Sequence, residues 1–169
     1  MTLGFLSDNI IRRYTKEKET FFCVCIFCLY VDLMNLTKSY LKDLTYQVTG
    51  AAIEVHKRLG PGLLESVYHK CLEKEFELRG IRVVSEHKIP YFYKGFDLDI
   101  DFRCDFWVED IFVVEIKACE EVAPIHVAKL INYMNLLQSP KGIMINFNVI
   151  NLYNDGQKTY VNDLYYDLP

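Results

Sequence analysis

Two charged residues interrupt what would otherwise be one continuous apolar strand, Ile111-Phe-Val-Val-Glu115-Ile-Lys117-Ala118. Residues two apart on a strand point to the same face, so Glu115 and Lys117 share one. Burying such a pair is costly unless the charges are paired or coordinate a metal. Whatever fold the chain adopts must therefore bring partners to this strand.

The 169 residues suffice for one domain with a substantial core and are too few for two comfortable ones. From Met34 the pattern is regular. Leu41, Leu44, Val48, Ala51, Ala52, Val55 and Leu59 recur at steps of three and four, which predicts an amphipathic helix with Thr37 as N-cap and Gly60-Pro61-Gly62 as its stop. A second helix is expected from near Leu63 to Arg79, with Leu64, Val67, Tyr68, Cys71, Leu72 and Phe76 near one face and Gly80 ending it. The texture then changes to strands over 82–93 and 96–108, joined by a two-residue hairpin at Lys94-Gly95, and a third strand runs from Ile111 to Ala118. Pro124 suits the first turn of a helix reaching about Leu137. Ser139-Pro140-Lys141-Gly142 breaks that helix, and strands follow near Ile143–Phe147 and Lys158–Val161.

The segment before this domain differs in character. Residues 1–33 combine a mixed-charge stretch with the apolar run Phe21–Val31, which Asp32 ends well short of the ~20 residues a membrane-spanning helix needs. They read as an N-terminal extension outside the native domain, which spans 34–169; the competing reading is a membrane-surface or partner-binding helix. Cys23, Cys25 and Cys28 lie in that run without the second half that a structural zinc site needs. The six cysteines form no disulfide framework and no secretory signal is convincing, so a reducing, cytoplasmic setting is expected. A net charge of −4 argues against a dedicated high-affinity nucleic-acid binder, although a metal ion would neutralise part of it in a nuclease.

Phosphodiester hydrolysis needs hard oxygen ligands for Mg²⁺ or Mn²⁺, and carboxylates on adjacent strands supply them rigidly. Asp105 lies on the strand before Glu115, but a regular two-residue loop at Glu109-Asp110 would put Val114 opposite it, not Glu115. Because a one-residue slip flips every side chain, a shared face requires an odd-length turn or a bulge between Val108 and Phe112. Strand alternation also predicts that Cys104 points away from the carboxylates. The bland alternative is a surface Asp105 beside an exposed Glu115–Lys117 ion pair. Tyr68 and Tyr133 read as core-facing aromatics with bonded hydroxyls, and His126 as a surface or supporting residue.

Asp105 followed by Glu115-Ile-Lys117 resembles the bipartite motif of the PD-(D/E)XK nuclease superfamily, and Gly62-Leu-Leu-Glu65-Ser-Val-Tyr68 resembles the motif naming its GxxExxY family. Arg103-Cys-Asp105 and Lys129-Leu-Ile-Asn-Tyr133 fall where further motif positions are expected, over about Met34 to Val161. The resemblance implies an α/β (α+β) fold with a restriction-endonuclease-like core, a central mixed sheet flanked by helices in the order α-α-β-β-β-α-β. It implies a Mg²⁺- or Mn²⁺-dependent nuclease acting on DNA or RNA. Asp105 and Glu115 would ligate the ion and Glu65 would be an extra ligand or water orienter. Lys117 would act on the attacking water or the phosphate, and Arg103, Lys129 and Tyr133 would touch substrate. Lys129 stands where the family usually has Gln. A catalytically silent accessory domain with the same fold, and a homo-oligomer of 34–169 without membrane contact, are further expectations.

Overall fold

A computed structural model describes residues 36–169; the apolar run Phe21–Val31, its cysteines and the boundary at Met34 lie outside them. Helix α1, Lys38–Leu59, starts where Thr37 accepts a hydrogen bond from the Tyr40 N–H at 3.1 Å. It buries Leu41, Leu44, Val48, Ala51, Ala52 and Val55, and its last turn carries His56, Lys57 and Arg58, which suit the negative end of the helix dipole. Gly60 ends it with φ of 68°, a conformation that costs a residue with a side chain more than glycine.

Helix α2, Glu65–Leu78, begins two residues later than the periodicity suggests. Its buried stripe is only Tyr68, Leu72 and Phe76, spaced by four, and Leu64 and Val67 lie off it and are exposed. Five strands form the main sheet: β1 Val83–Ile89, β4 Phe102–Val108, β5 Phe112–Lys117, β6 Lys141–Asn146 and β7 Gln157–Val161, side by side in the order β1-β4-β5-β6-β7. All neighbours are antiparallel except β5 and β6, whose parallel pairing is spanned by helix α3, Pro124–Leu137. The class is therefore the mixed α/β arrangement that the sequence suggests.

The two long strands expected over 82–93 and 96–108 are each cut. Pro90 cannot continue the ladder, and a separate two-stranded hairpin forms from β2, Phe92–Tyr93, and β3, Phe96–Asp97. Its turn is the expected Lys94-Gly95, with φ of 50° and 87°. Two single-turn helices, α4 Leu152–Asp155 and α5 Asp163–Tyr166, have too few residues to leave a periodic signal.

The sheet is covered on both faces. On one, Phe76 meets Phe106 edge-on at 5.4 Å and Tyr68 stacks on Phe147 at 4.5 Å, joining α2 to the core. On the other, α3 lies so close to β6 that a Cβ on Gly142 would stand 3.0 Å from Met134 Sδ and 3.1 Å from Leu130 Cδ1. This glycine sets how near α3 can carry its side chains to the neighbouring strand β5.

Candidate active site

The β4–β5 connection has the irregularity that the register argument requires. Val108 pairs with Phe112 across a three-residue loop, Glu109, Asp110 and Ile111. Glu109 and Asp110 have φ of 50° and 51°, which side chains tolerate poorly, and Arg82 holds them there. Its backbone N–H donates to Glu109 Oε1 at 2.9 Å and its guanidinium reaches Glu109 Oε2 at 3.3 Å and Asp110. The odd count sets Phe106 against Val114, so one more step would set Asp105 against Glu115.

The ladder stops at that step. Asp105 Oδ2 accepts the Ile116 N–H at 2.7 Å, replacing a backbone acceptor with a carboxylate. The β1–β4 ladder skips the same residue: Ser85 pairs with Phe106 and His87 with Cys104, while Glu86, between them, has φ of 48°. Alternation breaks here. Cys104 and Trp107, three apart, pack into one cluster with Val113, Leu130, Tyr133 and Met144. Cys104 therefore does not point away from the carboxylates, contrary to strict period-two geometry. Its thiol is pushed up to about 12, by burial first and then by the charges of Glu115 and Asp105.

Glu115 is wholly buried. Its Oε2 accepts from Lys129 Nζ at 3.0 Å, and its Oε1 has no hydrogen-bond partner among the described residues. Burial and then the adjacent Asp105 raise its pKa to about 7, against the pull of Lys129. Asp105 is also raised, chiefly by burial, with the Ile116 N–H opposing. Two neighbouring carboxylates, one wholly buried with an orphaned oxygen and the other partly buried, form a site that favours either a proton or a cation.

Lys117 ends β5 mostly shielded, donating to Glu65 Oε1 at 3.3 Å and to the Ile116 carbonyl at 2.5 Å. Glu65 opens α2, and the residues around it explain its placement. The Tyr68 hydroxyl donates to the Gly60 carbonyl at 2.7 Å and accepts the Leu63 N–H at 3.1 Å, closing the Gly60–Leu63 loop against the helix that presents Glu65. Tyr68 is thus the core aromatic with a bonded hydroxyl that its sequence context suggests. Tyr133 is buried too, its ring 4.9 Å below the Lys129 ammonium and 6.1 Å from Phe102.

Two expected substrate contacts are otherwise engaged. Arg103 forms a two-point pair with Asp101, at 3.0 and 2.8 Å, with Glu86 at 3.9 Å. Lys129 is turned inward onto Glu115. Sequence reasoning also missed two supporting residues. His69 approaches the Asp105 carbonyl at 3.3 Å while stacking on Phe106 at 4.3 Å. Buried Asn146 accepts the Cys119 N–H at 3.1 Å and donates to the Cys119 carbonyl at 2.8 Å, fixing the chain just past Lys117. A polar residue ending a buried strand was the available signal for Asn146; His69 left none.

Among the described residues, no group of three or more His, Cys, Asp or Glu side chains is arranged to hold a metal ion. Two carboxylates are nonetheless enough for Mg²⁺, which commonly takes one or two and fills its remaining sites with water and substrate phosphate. The orphaned Glu115 Oε1 beside the raised Asp105 carboxylate fits that donor set.

The family model described as PD-(D/E)XK nuclease superfamily matches residues 42–159, a span holding every residue of this site. No curated protein and no solved structure matches the chain. Among the described residues no helix is long and apolar enough to cross a membrane. Nucleases of this superfamily generally use divalent metals, and the fold implies nucleic-acid binding in general. With the matched span covering well over half its length, the chain belongs to the PD-(D/E)XK nuclease superfamily.

Proposed function

We propose that the domain hydrolyses phosphodiester bonds of nucleic acid with Mg²⁺ or Mn²⁺, and that Asp105, Glu115 and Lys117 carry the reaction. The observation behind this reading is the buried Glu115, with its orphaned Oε1, beside the partly buried Asp105. A bound divalent ion supplies a polarised water and charge neutralisation at the phosphate. Asp105 and Glu115 hold the ion, and the Ile116 N–H keeps Asp105 in place. The Lys117 ammonium stabilises charge developing on the phosphate oxygens. Glu65 positions that ammonium and would add a third carboxylate's charge near the ion. Tyr133 and Arg103 flank the substrate path, Arg103 by exchanging Asp101 for a phosphate. Gly62, Glu65 and Tyr68 support assignment to the GxxExxY branch, and the cysteine pattern supports a cytoplasmic setting.

The test is metal-dependent cleavage of single-stranded DNA, duplex DNA and RNA. Asp105→Ala, Glu115→Ala and Lys117→Ala each abolish it while the variants stay folded by circular dichroism; full activity in all three refutes the assignment. A second reading, an accessory domain without turnover, is favoured by one observation: Lys129 already neutralises Glu115. It predicts no Mg²⁺ or Mn²⁺ binding by calorimetry, with or without nucleic acid.

A further inference from the structure

Lys129 reaches from a partly exposed stem to a carboxylate that no solvent touches. Its ammonium sits 3.0 Å from Glu115 Oε2 and 4.9 Å above the Tyr133 ring, a cation–π contact to a buried face. It is therefore held from two sides and pointed inward. The two oxygens of Glu115 are divided: Oε2 is taken by the ammonium, and Oε1 is unpartnered. An ammonium 3.0 Å from Oε2 repels a divalent ion from that oxygen and leaves Oε1 as the better ligand.

Charge points the same way. Asp105, Glu115 and Glu65 face Lys117 and Lys129, three carboxylates against two ammonium groups, which leaves one net negative charge. One divalent ion converts this to one net positive charge, which a single phosphodiester anion cancels. A second ion would leave an excess of like charge beside the buried Glu115, where repulsion is less screened than in water.

We infer that Lys129 is a resident cation standing in for a second metal ion, so that the site loads one divalent ion, through Glu115 Oε1 and Asp105. The inference rests on the reading of Asp105 and Glu115 as ligands. Lys129 is then a positioning residue: it acts through Glu115, fixing which oxygen faces the ion and lowering the affinity of the pair for further cations.

Calorimetric titration of Mn²⁺ into the metal-stripped full chain tests this without reference to turnover. The wild type and Lys129→Arg bind one Mn²⁺ per chain. Lys129→Gln and Lys129→Met bind Mn²⁺ at least tenfold more tightly or take up a second ion. Unchanged or weaker binding in both neutral variants, or two ions in the wild type, overturns the inference. Glu115→Gln separates the two claims. If it loses Mn²⁺ while the neutral Lys129 variants bind as the wild type does, the ligand reading stands and the role of Lys129 falls. If Glu115→Gln binds like the wild type, or no form binds, both fall. Circular dichroism at each titration point confirms that folded protein is compared, and where one neutral variant does not fold the other decides the outcome.

Discussion

A carboxylate whose pKa rises on folding makes the folded state less stable as pH increases, and Glu115 offers a clean measurement of this effect. Its value goes from an ordinary 4.5 to about 7, because it is buried and beside Asp105. The folded state therefore binds its proton more tightly than the unfolded chain does. The stabilisation is fully present below pH 4.5 and is lost as pH rises through about 7. At about 1.4 kcal/mol per pH unit, the loss amounts to about 3 kcal/mol in metal-free protein. No discount for solvent screening applies, since Glu115 is fully buried. For a domain of this size, that corresponds to a fall of roughly 10 °C in Tm.

The perturbation is Glu115→Gln, which keeps the shape and removes the titration. Thermal or urea unfolding in EDTA from pH 4.5 to 8 gives a slope for each protein, and the difference between slopes reports Glu115 together with its effect on the neighbouring Asp105 and Lys129. The wild type loses about 3 kcal/mol more than the variant across that range. Adding Mn²⁺ at pH 8 restores stability to the wild type, because an ion that binds only the folded state stabilises it by mass action. Parallel slopes for the two proteins would show that Glu115 is ionised at no cost, and the argument for a cation-seeking site would fail with it.

Two further substitutions probe the scaffold around the site. Tyr68→Phe removes the hydroxyl that binds both the Gly60 carbonyl and the Leu63 N–H, so it destabilises the fold by ~1–3 kcal/mol in denaturant unfolding and loosens the loop before Glu65. Gly142→Ala places a methyl group 3.0 Å from the Val113 carbonyl and from Met134 Sδ; it costs ~1–3 kcal/mol by the same assay, and wild-type stability would show that α3 is free to shift from β6.

The helices were legible because their burial repeats at three and four residues: Leu41, Leu44, Val48, Ala51, Ala52 and Val55 announce α1, and Thr37 and Gly60 mark its ends. Glu115 and Lys117 were legible for the opposite reason, as charges where a buried strand should have none. What stayed hidden depends on pairings between distant segments. Nothing local says that Arg82 will clamp Glu109 and Asp110, that His69 will meet the Asp105 carbonyl, or that Lys129 will turn inward instead of toward substrate.

The misreading of Cys104 carries the most information about the site. Period-two alternation assumes an unbroken ladder, and here the β1–β4 ladder skips Glu86 and Asp105 while the β4–β5 ladder ends at Phe106 and Val114. A regular β4 would spend the Asp105 level on backbone pairing with β5. The break lets the Asp105 carboxylate take the Ile116 N–H and stand beside Glu115, with positive φ at Glu86 as the accompanying strain. Departures from local rules concentrate at functional sites. Here the three-residue turn, the skipped pair and the orphaned oxygen all converge on Asp105 and Glu115. The strain at Glu86 and the burial of Glu115 beside Asp105 both act against stability in metal-free protein. On the proposed reading, a cation held by these carboxylates would offset the second cost, which couples ion binding to folding at this site.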